Sequence, residues 1–239
     1  MSERIVLQVH PDRAALAERV AGDIAARLRE AVAARGRASL VVSGGSSPVP
    51  MYERLAAQAL PWEAVTVTLA DERWVDPAHP HSNEGLVRRH LLVGPAAAAS
   101  FVPLYAPQPA PEAAEAVVDA RLREAFAGPF DVVVLGMGED GHTASLFPGA
   151  PELEAALSLP GSQAVFAVHP EPLPANAPHP RMSLGLARLF DSRLLVLLFT
   201  GAAKRALFER IRREPDARRW PVAALLGAEG PPLHVHTAD

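Results

Sequence analysis

The chain contains no cysteine, and this absence removes several classes of protein at once. A disulfide-stapled scaffold, a thiolate nucleophile and a cysteine-based zinc site are all excluded. The net charge of −4 lacks the basic excess of a nucleic-acid-binding domain, so we expect no nucleic-acid partner. The longest apolar run, residues 194–199, is far too short to cross a bilayer, and no signal-peptide stretch opens the chain. We therefore expect a cytoplasmic protein with no membrane partner.

The 239 residues carry a composition that is ordinary for a globular protein, with 49% hydrophobic and 21% charged residues. A chain of this length buries a sizeable core without metals or disulfides. Two proline-rich stretches, 106–111 and 170–180, read as loops and not as domain linkers. We expect one domain over residues 1–239.

Strand-like and helix-like segments alternate along the chain, which predicts βαβ units and a mostly parallel sheet with helices on both faces. The fold class is therefore α/β and Rossmann-like. Apolar or β-branched runs predict strands at 5–9, 39–42, 65–70, 131–135, 164–168, 193–200 and, as an edge strand, 233–236. Helical periodicity predicts helices at 16–32, 49–60, 82–92, 111–127 and 202–213.

Ligands of open α/β sheets bind beyond the carboxyl ends of the strands, so unusual residues at those ends are the candidates. The first end carries Gly44, Gly45, Ser46 and Ser47 in the segment Ser-Gly-Gly-Ser-Ser-Pro. Glycines and successive backbone N–H groups that open a helix suit a phosphate. A plain tight turn with a serine cap is the alternative interpretation. The loop is not a Walker A motif, because no Gly-Lys-Ser/Thr follows.

Charged residues, among them Asp71 and Arg73, directly follow another strand. A solvated loop would explain them, but they fall on the same predicted edge as the glycine-rich loop. We therefore treat both as candidate substrate-binding residues.

The segment 136–141 formally matches the dinucleotide fingerprint G-x-G-x-x-G, but it does not fit that function. Two carboxylates stand where a pyrophosphate would lie, and Pro148 leaves room for only a very short helix. What remains is a flexible loop that presents Asp140 and His142. Histidine accepts a proton near neutral pH and a carboxylate can orient it, so this pair is a candidate for general-base catalysis. A capping or packing histidine is the alternative.

Lysine occurs once in the chain, at Lys204, against 22 arginines. Codon bias that favours arginine, with the lysine a leftover, is the alternative interpretation, but the lone lysine falls one turn into a helix at the carboxyl end of a strand. That position favours a phosphate-binding ammonium group. Arg193 begins the same strand, so residue order alone places it at the opposite edge of the sheet.

Two His-x-His pairs, His79 with His81 and His234 with His236, have the spacing that metal sites use on a strand. No third ligand is evident for either pair, so we expect surface histidines and no metal site.

Taken together, the loops resemble the 6-phosphogluconolactonase family. The segments that carry the resemblance are 43–48, 71–75 with Ser82 and Asn83, and 136–149 (Gly-Met-Gly-Glu-Asp-Gly-His-Thr-Ala-Ser-Leu-Phe-Pro-Gly). Residues 181–183 (Arg-Met-Ser) and 201–204 (Gly-Ala-Ala-Lys) fit later blocks of the family. The match spans nearly the whole chain in the right order, and 136–149 is its most specific part.

The resemblance implies cofactor-free hydrolysis of 6-phospho-D-glucono-1,5-lactone to 6-phospho-D-gluconate, the second step of the oxidative pentose phosphate pathway. It implies that His142 activates water with Asp140 as its partner, and that Arg73 and Lys204 bind substrate. Arg181 belongs to a matching block. Arg193 matches a phosphate-binding arginine of the related glucosamine-6-phosphate deaminases, against the edge argument above.

Two other functions stay open at this point. The deaminases carry a glutamate a few residues after the histidine, where this chain has Leu146, Phe147 and Pro148. Sugar-phosphate sensors of transcription regulators share the fold but need no base, and they normally carry a DNA-binding segment. The sequence leaves open the oligomeric state, the group that stabilises the oxyanion and the choice between lactone isomers.

Overall fold

A long amphipathic helix follows the first strand, and both of its ends are set by local chemistry. In the computed structural model, which describes residues 4–159, 163–175, 177–227 and 229–239, β1 (Ile5–Val9) leads to α1 (Arg13–Arg35). The Asp12 carboxylate accepts a hydrogen bond from the Ala15 N–H at 2.7 Å and caps the helix. Gly36, at a φ of 71°, ends it with a left-handed turn.

The other elements follow in alternation. In chain order they are β2 (Ala38–Val42), α2 (Val49–Ala56), β3 (Val65–Leu69), β4 (Asp71–Arg73), α3 (Asn83–His90), β5 (Ser100–Val102), α4 (Glu115–Ala125), β6 (Val132–Gly136), α5 (Leu153–Leu157), β7 (Val165–Val168), β8 (Arg181–Leu184), α6 (Leu186–Phe190), β9 (Leu195–Thr200), α7 (Ala202–Arg213) and β10 (Leu233–Ala238). Short 3₁₀ helices lie at Trp62–Ala64, Gly94–Ala98, Pro111–Ala114 and Pro221–Leu226.

Seven strands form one parallel sheet in the order β1-β10-β9-β6-β2-β3-β5. Consecutive residues of β6 and β9 are buried, which requires cover on both faces of the sheet. On one face α1 packs against β2 and α2, with Leu16, Ile24 and Leu28 almost fully buried. This architecture confirms the predicted Rossmann-like α/β fold.

The last strand is not an edge strand, and that expectation was wrong. β10 lies between β1 and β9, with Leu233 opposite both Ile5 and Leu195. Its alternation of apolar residues with histidine is typical of a half-exposed edge, but His236 is buried inside the sheet. The edges of the large sheet are β1 and β5.

A second, three-stranded antiparallel sheet has the order β4-β8-β7. The strand expected at 164–168 belongs to this small sheet and not to the parallel one. Residues 71–73, expected as a loop, form its first strand and pair with Arg181–Ser183. This strand is fixed by pairing with residues more than a hundred positions away in the chain. Its charged composition therefore carried no local signal for a strand.

None of the helices in the described part of the chain combines the length and the apolar character needed to span a membrane.

Candidate active site

The two most unusual loops of the sequence leave adjacent strands. β2 and β6 are neighbours in the sheet, while the chain continues from β2 to β3 on one side and from β6 to β9 on the other. Such a reversal of strand order opens a crevice at the carboxyl edge. A cavity of about 910 Å³ lies there. Nine predicted site residues line it: Gly44, Gly45, Ser46, Ser47, Asp71, Arg73, Asp140, His142 and Lys204.

The loop after β2 is fixed at its start by two buried hydroxyl groups. The Ser43 hydroxyl donates to the Val134 carbonyl at 2.8 Å, and the Tyr52 hydroxyl donates to the Ser43 carbonyl at 2.6 Å. Burial raises the pKa of Tyr52, so its hydroxyl stays a donor. Gly45 has a φ of 87°, a conformation that favours glycine. The loop then enters α2, and the N–H groups and dipole at a helix start favour an anion.

Gly44 is required because another side chain occupies the space above it. A Cβ atom on Gly44 would lie 1.8 Å from Oδ1 of Asn83. The Asn83 amide donates to the Asp71 carbonyl at 2.8 Å, while its Oδ1, although buried, has no partner in the described part of the structure. Asn83 lines the cavity, and our sequence analysis did not assign it to the site. The one sequence signal for Asn83 was its membership, with Ser82, of a segment that resembles the family.

In strand β4, Asp71 and Arg73 line the cavity and flank the buried Glu72. Asp71 accepts a hydrogen bond from the Ser145 hydroxyl at 2.6 Å, which joins β4 to the loop after β6. The Arg73 guanidinium donates through Nη1 to the His81 carbonyl at 2.6 Å. This bond uses one of five donors of the guanidinium and fixes its position at the cavity wall.

Between them, Glu72 is fully buried and organises the start of α3. Its carboxylate accepts bonds from the backbone N–H groups of Asn83 and Glu84, both at 2.7 Å, and from the Ser82 hydroxyl at 3.0 Å. Burial raises the pKa of Glu72 to about 7, although these hydrogen bonds and one from the Arg73 N–H favour its ionised form. Glu72 thus positions Asn83 beside the cavity.

The loop after β6 brings a histidine and a carboxylate into direct contact. Nδ1 of His142 lies 2.6 Å from Oδ1 of Asp140, which also accepts the His142 backbone N–H at 3.1 Å. Burial acts to raise the pKa of Asp140, but the hydrogen bonds and the charge of His142 outweigh it and lower the pKa. The His142 ring lies against the Phe147 ring, with 4.2 Å between centroids and 31° between the ring planes.

Gly138 gives the His142 ring its space. A Cβ atom at this position would lie 2.1 Å from Nδ1 of His142 and 2.6 Å from Oδ1 of Asp140. The backbone also closes here, since the Gly138 N–H donates to the His142 carbonyl at 2.9 Å. The loop is therefore built around the pair, and glycine is the residue that fits.

Lys204 lies in the first turn of α7 and lines the cavity. Gly201, at a φ of 101°, makes the turn from β9 into this helix. Within the described ranges no acidic side chain forms an ion pair with the lysine. A half-buried ammonium group without an acidic partner is suited to an anionic ligand.

Two arginines named from the sequence do not line the cavity. Arg193 lies at the amino end of β9, where its Nε is 3.4 Å from Oδ1 of Asp131, and β9 separates it from the carboxyl edge. Arg181 is buried beneath the site. One nitrogen donates to the Ala177 carbonyl at 2.9 Å, and the guanidinium lies 5.9 Å from the Phe147 ring centre. Burial lowers the pKa of Arg181 to about 10.

One wall of the cavity comes from residues 170–175, the first half of a proline-rich loop. The loop is recognisable in the sequence, but nothing in its composition predicts a place in the site. Prolines carry no recognisable binding chemistry, so only the folded structure shows this contribution.

The fold and site define an α/β protein in which a glycine- and serine-rich loop, a lysine with no acidic partner among the described residues and a histidine–carboxylate pair line one cavity. The chain belongs to the family described as glucosamine-6-phosphate isomerases/6-phosphogluconolactonase, whose model matches residues 11–232.

Known relatives cover nearly the whole chain. It is 45% identical to the 6-phosphogluconolactonase of Pseudomonas aeruginosa over 230 residues, covering 96% of this chain and 93% of the relative. It is 47% identical to that of Caulobacter vibrioides over 227 residues, covering 93% and 92%.

Solved structures agree. A crystal structure of a 6-phosphogluconolactonase from Shewanella baltica superposes with a TM-score of 0.93 at 38% identity and covers 100% of both chains. A monomeric glucosamine-6-phosphate deaminase superposes with a TM-score of 0.77 at 18% identity, covering 98% of this chain and 97% of that one, which shows a shared fold alone.

Proposed function

We propose that this chain is a lactone hydrolase that converts 6-phospho-D-glucono-1,5-lactone to 6-phospho-D-gluconate, the second step of the oxidative pentose phosphate pathway. The observation that carries the proposal is the meeting of a phosphate-type loop, Lys204 and the His142–Asp140 pair in one cavity. Relatives named 6-phosphogluconolactonase, at 45–47% identity, support the same substrate.

The phosphate of the substrate would be held by the loop after β2 and by Lys204. Backbone N–H groups, serine hydroxyls and an ammonium group are donors suited to a phosphate dianion. Arg73 has donors to spare beyond its bond to the His81 carbonyl and serves the same substrate.

The His142–Asp140 contact determines which nitrogen reacts. With Nδ1–H donated to Asp140, Nε2 of His142 carries the free lone pair. Nε2 takes a proton from water as the water oxygen bonds to C1 of the lactone. The tetrahedral intermediate then breaks its bond from C1 to the ring oxygen, and Nε2–H gives the proton to that oxygen. The product is the open-chain acid, which ionises at neutral pH.

A δ-lactone is electrophilic enough to be attacked by water directly, without a covalent intermediate on the protein. The negative charge that forms on the carbonyl oxygen requires donors, and Arg73 and the backbone N–H groups of the two loops are the groups at hand. No protein carboxylate follows His142 at the position where deaminases carry a glutamate. Leu146 and Phe147 fill that stretch and are buried. The site therefore favours lactone hydrolysis over amine chemistry.

Turnover of the lactone tests the proposal. The substrate is generated in situ from glucose 6-phosphate and its dehydrogenase, and the product is followed through a second coupled dehydrogenase, with spontaneous hydrolysis subtracted. We expect acceleration that falls about 10²–10⁴-fold in His142→Ala. His90→Ala, at a histidine paired with Glu53 on the surface, is the matched control and should keep full activity.

The possible outcomes separate the function from the mechanism. Acceleration that survives His142→Ala would keep the lactonase and overturn the base. No acceleration, together with ammonia release from glucosamine 6-phosphate, would favour a deaminase. Tight binding of 6-phosphogluconate without turnover would favour a sensor.

A further inference from the structure

Three histidines converge next to the cavity without lining it. The rings of His79, His81 and His179 have centroids 4.9, 5.1 and 5.3 Å apart. One ring nitrogen from each lies within 4.8 Å of the other two. In the described residues this is the one group of three or more histidines and carboxylates so close together. The sequence showed only the pair, because the third member is 98 residues away.

The scaffold around the cluster is tied together by backbone hydrogen bonds. His79 and His81 lie on the connection between β4 and α3, and His179 lies two residues before β8. The strands β4 and β8 pair directly, and the Trp74 N–H donates to the Pro180 carbonyl at 2.8 Å. The Ser82 N–H donates to the His79 carbonyl at 3.0 Å and closes the turn. The backbone segments that carry the three rings are therefore held next to each other by the fold.

The nitrogen geometry is near that of a metal site. Tetrahedral zinc with bonds of about 2.0–2.1 Å places its ligand atoms about 3.4 Å apart. Nδ1 of His81 and Nε2 of His179 are 2.8 Å apart, sharing a hydrogen bond that a metal ion would replace. Nδ1 of His79 accepts the His81 N–H at 3.0 Å. Ligation by His79 therefore breaks this hydrogen bond. Coordination through Nδ1 uses the accepting lone pair, and coordination through Nε2 leaves the ring proton on Nδ1.

The surroundings of His179 also suit ligation. Burial and the neighbouring His81 and His79 lower the pKa of His179, and Arg181 and Arg73 add to that effect. A neutral imidazole keeps the lone pair that a metal requires. The two arginines repel a dication as well, so they limit the affinity of the site.

We propose that His79, His81 and His179 form a binding site for a divalent transition-metal ion of the zinc type, with a fourth position open to water. Three imidazoles are a donor set that zinc, nickel and copper accept, with copper bound most tightly. The ion would link the β4–α3 connection to the segment before β8. It would thereby hold the His81 carbonyl, to which the Arg73 guanidinium donates.

Titration of the full-length, chelator-treated protein with Zn²⁺ by calorimetry tests the site, and Co²⁺ supplies the absorption signature of nitrogen ligation. We expect one equivalent to bind. His79→Gln and His179→Gln should each weaken binding at least tenfold, because even second-shell changes cost about 10–100-fold. His90→Gln, at the end of α3 and paired with Glu53 outside the cluster, should leave binding unchanged. Zn²⁺ should raise the melting temperature of the wild type and of His90→Gln, but not of the two cluster variants.

His142→Gln separates this site from the His142–Asp140 pair. We expect it to keep zinc binding. Zinc binding that disappears in His142→Gln and persists in both cluster variants would overturn the proposal, as would no binding at all by the folded wild type. Circular dichroism of each variant shows that it is folded, and the wild-type Co²⁺ spectrum tests imidazole ligation even where a variant is not. Since metal binding and not turnover is measured, the result is independent of the lactonase proposal.

Discussion

Nδ1 of His142 lies 2.6 Å from Oδ1 of Asp140, although the two residues are only two apart in the chain. Such a short loop brings them into contact because Gly141, at a φ of 79°, turns the backbone between them. In the proposed mechanism the carboxylate fixes the ring and sets its tautomer. The nitrogen that reacts would then be decided by a neighbour that need not touch the substrate.

Replacing Asp140 by asparagine should expose this dependence. The amide keeps the shape of the side chain but removes its charge, and it can present N–H to Nδ1 and so stabilise the wrong tautomer. We expect kcat to fall about 10²-fold, the low end for a lost general base, with little change in KM. Steady-state kinetics in the coupled assay measure both. Asp23→Asn, at an ion pair with Arg19 on the surface of α1, is the control. Equal kcat values for the wild type and Asp140→Asn would contradict the role of the carboxylate.

Gly138→Ala tests whether the space around the ring matters. Its Cβ would overlap both His142 and Asp140, so the pair must move or rotate apart. We expect a loss of kcat approaching that of His142→Ala, with the melting temperature changed less than the activity. Gly128→Ala is the matched control, because a Cβ there meets nothing within 4 Å. If Gly138→Ala kept wild-type kcat, the loop would be able to relax around the methyl group.

Lys204→Ala should act on binding and not on chemistry. A hydrogen bond to a charged group contributes about 1.5–3 kcal/mol, so KM should rise about 10–100-fold while kcat changes little. Lys204→Arg should also raise KM, because the planar guanidinium does not reproduce the compact ammonium group. Arg213→Ala removes an exposed cation from the last turn of the same helix and is expected to be neutral. An unchanged KM in Lys204→Ala would remove this residue from the phosphate site.

The buried carboxylate of Glu72 predicts a pH dependence of stability. Its folded pKa, about 7, lies above its ordinary value of 4.5. The folded state therefore holds the proton more tightly, and its contribution to the free energy of unfolding declines as the pH rises from 4.5 through 7. Between pH 5.5 and 7.5 the decline amounts to about 2 kcal/mol.

Urea unfolding of the wild type and Glu72→Gln at both pH values measures this term. Glutamine does not titrate, so the wild type should lose stability relative to the variant as the pH rises. Glu72→Gln should be less stable at both pH values. Its amide N–H would face the backbone N–H groups of Asn83 and Glu84, which donate to the carboxylate in the wild type. A stability difference that is the same at both pH values would contradict a Glu72 pKa of about 7 in the folded state.

Much of the parallel sheet was predictable because its strands are continuous apolar runs, a pattern that survives without any tertiary information. The position of β10 was not, because the residues that cover it lie elsewhere in the chain. The small sheet was missed for a related reason. Glu72 reads as a surface residue, and only its partners at the start of α3 make its burial possible.

The candidate site, too, was predictable where local patterns place its residues and not where tertiary contacts do. Lys204, His142 and the glycine-rich loop were predictable from the rule that ligands meet the carboxyl ends of strands. Asn83 and His179 were not, since their roles depend on contacts with Gly44 and His81 that no local pattern encodes. Arg193 shows the converse. From its position at the start of a strand, Arg193 was expected at the edge of the sheet opposite the site. The structure places it at that opposite edge, beside Asp131.

Lys204 is the one side-chain amine in the chain, and it faces the cavity. Reagents that acylate amines usually decorate many surface lysines and report little about any site. Here they address a single side chain, so a mass increase at that residue becomes a direct readout of access to the cavity. For the same reason, the protein should not be coupled to a solid support through its amines. Such a linkage would attach the molecule by the group that we assign to its substrate.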